Sequence, residues 1–451
     1  MAVDADEVVR RAEAEGLRLV RFLWSGNDGT IRAKSSARDG LRDRLTSGIG
    51  LTQGMYAMNV LDQLQPIEGM GPVGEVRLVP ALDTFRALPY APAVGAVLVD
   101  QATPAGEPAP ACPRGFLRRM TARLAERGTV LRAAFENEFS LAIEVEDGWA
   151  PIDESLCFST IGATAAQDYV ADLADALDAQ DIALAQYYPE LGHGQQEVSV
   201  AHAPALRAAD EQVLVRETIR AVATAHGLVA SLAPKPWPDA AGNGAHVHCS
   251  LWDADGERNR FHDASAPDGL SAEARGFVAG LLEHLPGLCG LTAPSFGSYR
   301  RLRPAMWAGA YVCWGPDNRE APVRVPSTFR HAPEASTNLE LKPVDASANP
   351  YVALGGLIAA GLDGVERGLV PPPPLAVDPG ALDEAGRVRR GIAPLPGSQA
   401  EALDALAADE VLLAALGEPL ATAHLTVRRS EWAAFSEADE AFVQRGHFAK
   451  Y

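Results

Sequence analysis

The sequence predicts an α+β protein: a small N-terminal α+β unit followed by a larger α/β or α+β unit organised around an extensive sheet. Three observations carry this expectation. Strand-like runs alternate with helical periodicities along the 451 residues, and no repeat of fixed period stands out. Near the N-terminus, the turn sequence Gly26-Asn27-Asp28-Gly29 separates two strand-like runs. From Thr103 to Arg114 the composition turns to Pro, Gly and Ala, as in a linker, and Pro113 is placed to open a helix. The boundary expected there divides the chain into residues 1–105 and 106–451.

The elements follow in order. An amphipathic helix is expected over Asp4–Glu15, then strands over Leu17–Trp24 and Thr30–Ala33 joined by the glycine turn. Beyond the linker, helices are expected over Phe116–Glu126, Ala165–Ala179, Asp210–His226, Ser271–Leu285 and Pro350–Gly368. Between them fall strand-like runs over Val130–Val145, Ile182–Tyr188, Ala230–Ala233, Ala245–Leu251, Trp307–Trp314, Val323–Val325 and Asn338–Val344. Pro371–Pro374 reads as a stiff polyproline spacer, and Glu401–Tyr451 as helices packed on the outside.

Composition narrows the function classes. With 59 acidic and 39 basic side chains the formal charge is −20, which argues against a nucleic-acid backbone or an anionic membrane as partner. No stretch approaches the ~20 apolar residues of a membrane helix, and Met1–Leu17 lacks a signal-peptide pattern, so a cytoplasmic protein is expected. The five cysteines are scattered and read as core thiols rather than a disulfide framework or a zinc cage. Only Lys34, Lys235, Lys342 and Lys450 are lysines, so a lysine at a chemical position is notable.

Four constellations could carry chemistry. Glu136 and Glu138 stand at i and i+2 of a strand-like run and so share a face. Two acids on one buried face repel unless a cation lies between them, although an exposed strand face is the alternative. Glu190 and Glu197 bracket a loop whose two glycines let both acids converge, or simply leave it solvated. His246, His248 and Ser250 share a strand face behind Gly242-Asn243-Gly244, as metal ligands or as core residues. Glu340 and Lys342 form a further same-face pair, near arginines 300, 301, 303, 319 and 324. Five glutamates and one histidine favour magnesium or manganese, and the arginines suit phosphoryl chemistry. No Gly-x-x-x-x-Gly-Lys occurs, so a nucleotide would be held by metal and arginine rather than by a P-loop.

The order and spacing of these stretches resemble the glutamine synthetase family over almost the whole chain. The resemblance rests on Glu136-x-Glu138, Glu190 to Glu197, Gly242 to His248, Ser298 to Leu302, Asn318-Arg319 with Arg324-Val325-Pro326, and Leu339 to Lys342 leading to Ala348-Asn349-Pro350-Tyr351. It implies a β-grasp N-terminal domain and a catalytic domain whose curved antiparallel sheet forms an open barrel. It implies ATP and two or three Mg2+ or Mn2+ ions per site, with small-molecule acid and amine substrates. It also implies a homododecamer of two stacked hexamers with active sites between subunits. Carried over by residue, Glu138, Glu190 and Glu197 hold one ion, and Glu136, His246 and Glu340 a second. His248, Ser250 and Arg324 contact nucleotide. Glu138, Gly242, His246, Arg301 and Lys342 surround the acid substrate, with Arg301, Arg319 and Lys342 in catalytic positions.

The departures bear on the substrate. Ammonium-using members carry a flap glutamate six residues beyond the arginine matched by Arg301; here that position is Trp307, which cannot accept a proton from ammonium. The family's second ammonium determinant, an N-terminal aspartate, aligns near Thr52. Loss of both acids should weaken recognition of a small cation by ~2 to 5 kcal/mol. A bulkier amine against Trp307 is therefore expected, joined to the γ-carboxylate of glutamate. An ordinary ammonium-using glutamine synthetase, a non-catalytic sensor or scaffold, and a phosphotransferase that forms no amide are the alternatives. On the acid side, Ala241 replaces the family's asparagine and Lys342 an arginine, which keeps the charge but loses the bidentate fork. Ala393 stands at the tyrosine adenylylated in some members, so that control is not expected.

Overall fold

The computed structural model describes residues 3–451. Its N-terminal sheet has six strands: β1 Leu19–Ser25, β2 Ile31–Ala37, β3 Ile49–Thr52, β4 Glu75–Pro80, β5 Arg86–Ala87 and β6 Val94–Ala102. β1 and β2 form an antiparallel hairpin, and β6 runs parallel to β1 at its other edge, the arrangement of a β-grasp. The hairpin turn docks on the rest of the chain. A Cβ at Gly29 would lie 1.9 Å from the Ser347 carbonyl oxygen, and its φ of +77° is one that other residues rarely adopt, so the residue type is fixed by close approach. Asn349 caps the helix Pro350–Glu366 and donates to the carbonyls of Ser25 and Gly26 at 3.0 and 3.1 Å.

The larger sheet has ten strands: β7 Thr129–Val145, β8 Gly148–Pro151, β9 Leu184–Pro189, β10 Gln195–Val200, β11 Ala203–Pro204, β12 Val229–Ser231, β13 Ala245–Asp253, β14 Trp314–Pro316, β15 Val323–Val325 and β16 Leu339–Leu341. The path β14-β15-β16-β13-β7-β10-β9 leaves β14 and β9 as open edges, with all pairs antiparallel except β14 with β15. β7 is the spine. From Thr129 to Phe139 its odd residues are buried and its even residues half-buried, those from Arg132 to Glu138 lining a cavity, the period-two pattern of a strand with one core face. Helices Pro113–Glu126 and Ala205–Ala225 pack on it, and behind them Ala272–Thr292 and Pro350–Glu366 pack on each other. The last two cross at small residues: a Cβ on Gly280 would sit 2.2 Å from the Ala360 oxygen.

Several expected elements differ. Residues Trp307–Trp314 do not form a strand. The backbone turns left-handed at Trp307 and Gly309, and Val312 donates to the Ala393 carbonyl instead of a sheet neighbour. Only Trp314–Pro316 enters the sheet. The helix expected to stop at Leu285 continues through Pro286 to Thr292, because its buried surroundings outweigh the lost hydrogen bond. The helix expected over Ala165–Ala179 breaks at Ala166, and Asn338–Val344 contributes only Leu339–Leu341. The tail is not merely external: Tyr451 is fully buried, and its hydroxyl donates to the Asp28 carbonyl at 3.1 Å. All five cysteines are free, four of them buried. Among the described residues no helix is long and apolar enough to cross a membrane.

Candidate active site

Strand register explains why residues far apart in sequence meet. Across the sheet, Glu197 on β10 pairs with Glu138 on β7, and Glu136 on β7 with His246 on β13. His248 on β13 pairs with Glu340 on β16, and Glu340 with Arg324 on β15. Directly opposed residues of antiparallel strands hold their Cβ atoms ~4.5–5.5 Å apart, so one face becomes a continuous charged wall. The wall lines a cavity of about 1390 Å³. Ligand atoms of Glu136, His246 and Glu340 all lie within 4.8 Å of one another. His246 Nε2 is 3.8 Å from Glu138, and Glu190 and Glu197 line the same cavity.

The electrostatics divide the wall in two. Burial opposes the charge on Glu136, yet His248 and then His246 hold its carboxyl well below the usual range. Burial also opposes Glu340, but Lys342 and then His248 and His246 bring it down to about 2. Burial would lower His248 as well, and facing Glu136 instead leaves it pushed up to about 9. Glu197 goes the other way, because burial followed by Glu138 and Glu136 pushes it up to about 9. Burial and Glu138 raise Glu190. This half of the wall carries more acid than it can ionise, a condition that a bound cation relieves.

The donor set fits a hard divalent cation. It offers carboxylate oxygens and one imidazole, and His246 Nε2 is buried without a hydrogen-bond partner. Glu340 is already engaged, by Arg324 at 2.7 Å and by Lys342 Nζ at 3.1 Å. Lys342, one of four lysines, is thus buried beside the acidic cluster. Ser250 and His248 line the cavity, with His248 Nδ1 2.8 Å from Asn338 Oδ1. Arg301 is buried and donates to the Val344 carbonyl at 2.8 Å. Gly242 leaves room for it, since a Cβ there would be 2.7 Å from Arg301 Cγ. Arg319 is exposed and lines the same cavity.

At the rim, Trp307 is 56% exposed and lines the cavity with Met306 and Phe329. Thr52 does not join it. It sits exposed at the end of β3, its hydroxyl donating to the Gly71 carbonyl at 3.2 Å, so this chain's own cavity is built without it. Sequence reasoning missed Tyr188, whose hydroxyl donates to Glu197, and Gln195, whose amide reaches Glu138 at 3.3 Å. Tyr188 shares strand parity with Glu190, a signal that was available.

Two sequence models cover nearly all of the chain: the glutamine synthetase N-terminal domain over residues 3–104, and the glutamine synthetase catalytic domain over 110–445. The chain belongs to the glutamine synthetase family. Among its relatives is a gamma-glutamylpolyamine synthetase of Streptomyces coelicolor, 38% identical over 441 residues, spanning 97% of this chain and 94% of that one. A glutamine synthetase of Thermotoga maritima is 32% identical over 439 residues, covering 96% of each. In three dimensions the chain is similar to a novel glutamine synthase homolog with TM-score 0.86 at 34% identity, covering 96% of this chain and 99% of the other. A GmaS complex with ADP matches equally, at 0.86 and 28% identity, covering 99% of each chain. As a glutamine synthetase family member the protein is an ATP-dependent ligase that joins a small acid to an amine through a C–N bond. The family works with ATP and divalent metal ions.

Proposed function

We propose that this ligase activates the γ-carboxylate of glutamate and joins it to an organic amine rather than to ammonium. A carboxylate acylates poorly because its leaving group would be oxide. Its oxygen first attacks the γ-phosphorus of ATP, releasing ADP and leaving an acyl phosphate. The amine nitrogen then attacks the acyl carbon, phosphate departs, and the nitrogen loses a proton. In this reading Arg301, Gly242 and Lys342 seat the acid beside Glu138 and His246, and Arg319 and Lys342 face the phosphoryl group as its charge spreads. His248, Ser250 and Arg324 hold the nucleotide. Glu138, Glu190 and Glu197 would hold one divalent cation and Glu136, His246 and Glu340 a second, and these would supply neutralisation of phosphate charge. Thr52 would complete the cavity of an adjacent copy within two stacked hexameric rings.

The observation that carries the choice of amine is Trp307. An exposed indole lines the cavity at the position where ammonium-using members place an acid. Its face offers an aliphatic chain an apolar contact that a bare ammonium ion has no carbon to make, besides a cation–π contact to the ammonium end. The gamma-glutamylpolyamine synthetase of Streptomyces coelicolor supports the same class of product. The test is phosphate release from ATP and Mg2+ across a matrix of acids and amines, ammonium included, with products weighed by mass spectrometry. The expected result is an amide from glutamate and an organic amine at a kcat/KM well above that for ammonium. Trp307→Glu should narrow that gap about tenfold or more. Ammonium as the best nucleophile of the unaltered enzyme would overturn the reading.

A further inference from the structure

The rim loop that carries Trp307 is held by a residue outside the cavity lining. Glu320 is buried, and its Oε1 accepts from the Trp307 amide at 2.9 Å. Its own backbone is pinned in turn. The Glu320 amide donates to Asn318 Oδ1 at 3.1 Å, and Asn318 Nδ2 donates to the carbonyls of Leu375 and Val377 at 2.9 and 3.1 Å. The next residue, Ala321, is fully buried in a cluster with Cys313 and Leu375. The anchor is therefore a rigid turn tied to a neighbouring segment.

The loop needs such an anchor. Ala305 and Trp307 have φ of 62° and 52°, a region that side chains with a Cβ rarely occupy and that persists only where surrounding contacts fix it. At the far end of the loop Gly309 packs so closely on Pro322 that a Cβ would lie 2.7 Å from the Pro322 Cα. Glu320 and Pro322 thus grip the loop from one turn, and between the grips the indole projects 56% exposed into the cavity. From this turn the glutamate carboxylate reaches across to the Trp307 amide.

We propose that Glu320 is a positioning residue for amine selection, acting through the Trp307 loop and not by contact with substrate. The inference rests on the reading of Trp307 as the amine-side wall. The test measures kinetics of Glu320→Ala, Glu320→Asp, Glu320→Gln, Trp307→Ala and the double variant Glu320→Ala with Trp307→Ala, using ethylamine and putrescine as probe amines. Glu320→Ala is expected to raise the amine KM at least tenfold, with the KM values for ATP and glutamate changed less than twofold. Glu320→Gln, whose amide oxygen still accepts from Trp307, should recover most of the loss. The double variant should be no worse than Trp307→Ala alone, because both changes remove one device. Should Glu320→Ala fail to fold, Glu320→Asp keeps the charge, withdraws the reach and should raise the amine KM alone. Additive losses in the double variant would overturn the proposal, as would an unchanged amine KM or equal changes in the ATP and amine KM values. An unaltered enzyme that prefers ammonium to both probes would instead overturn the reading of Trp307 itself.

Discussion

The back wall and the front rim of one cavity are built by different rules. The wall is regular sheet: Glu136, Glu138, His246 and Glu340 reach it because strand parity sends alternate residues to one face and cross-strand pairing brings them side by side. The rim is irregular backbone, in which Trp307 is aimed by left-handed residues and by a buried carboxylate thirteen positions further on. A wall of this kind is fixed by many mutually supporting hydrogen bonds and suits chemistry that requires fixed charges. A rim held at a few points can change its side chains without disturbing that chemistry, which is where selectivity among amines is most readily altered.

The comparison can be broken first at the wall. Glu136→Ala or His246→Ala should lower turnover ~1,000-fold or more while leaving circular dichroism and melting behaviour close to the parent, since both face the cavity. Retained activity would remove these residues from the cation site. The next residue along the strand should behave in the opposite way. Asn137 is fully buried on the core face, exchanging hydrogen bonds with Gln212 at 3.0 and 2.6 Å. Asn137→Ala leaves the Gln212 amide unpartnered and should lower stability by about 1–3 kcal/mol in urea titration, with a smaller effect on KM for ATP. An activity loss as deep as that of Glu136→Ala without a stability change would contradict the two-faced strand.

The smallest effect probes the same alternation one strand away. Cys249 lies on the core face next to His248 on the cavity face, and burial pushes its thiol up to about 12. Burial also pushes Cys289 and Cys313 up to about 12 and raises Cys112; burial and Glu190 raise Cys157 as well, but it alone of the five is partly exposed to the reagent. A thiol must ionise to react, and a raised pKa keeps the buried four protonated near neutrality. Iodoacetamide at pH 8 should therefore label about one cysteine per native chain, at Cys157, and all five after unfolding. Native labelling of Cys249 would mean that β13 does not present the two faces described.

What was legible in the sequence followed from local periodicity. The i, i+2 spacing of Glu136 and Glu138, of His246 and His248, and of Glu340 and Lys342 announced shared faces, and the structure places each pair on the cavity side. Trp307–Trp314 was misread because its apolar residues satisfy a strand pattern while its backbone hydrogen bonds go to residues 393–395. The helix expected over Ser271–Leu285 runs on through Pro286 to Thr292, because burial on all sides outweighs the hydrogen bond that a proline removes.

By itself, then, the sequence determined which side chains share a face and where glycines stand in the turns, and its resemblance to a family set Trp307 against a glutamate of ammonium-using members. The tertiary structure alone decided that Glu320 grips the Trp307 loop, that Tyr188 and Gln195 support the acidic cluster, that Tyr451 returns to lie beneath the N-terminal hairpin, and that Thr52 stands apart from the cavity of its own chain. The physical reason is range. Strand parity and turn chemistry act between neighbours a few residues apart, whereas these contacts depend on how strands register and loops meet, which no local pattern encodes.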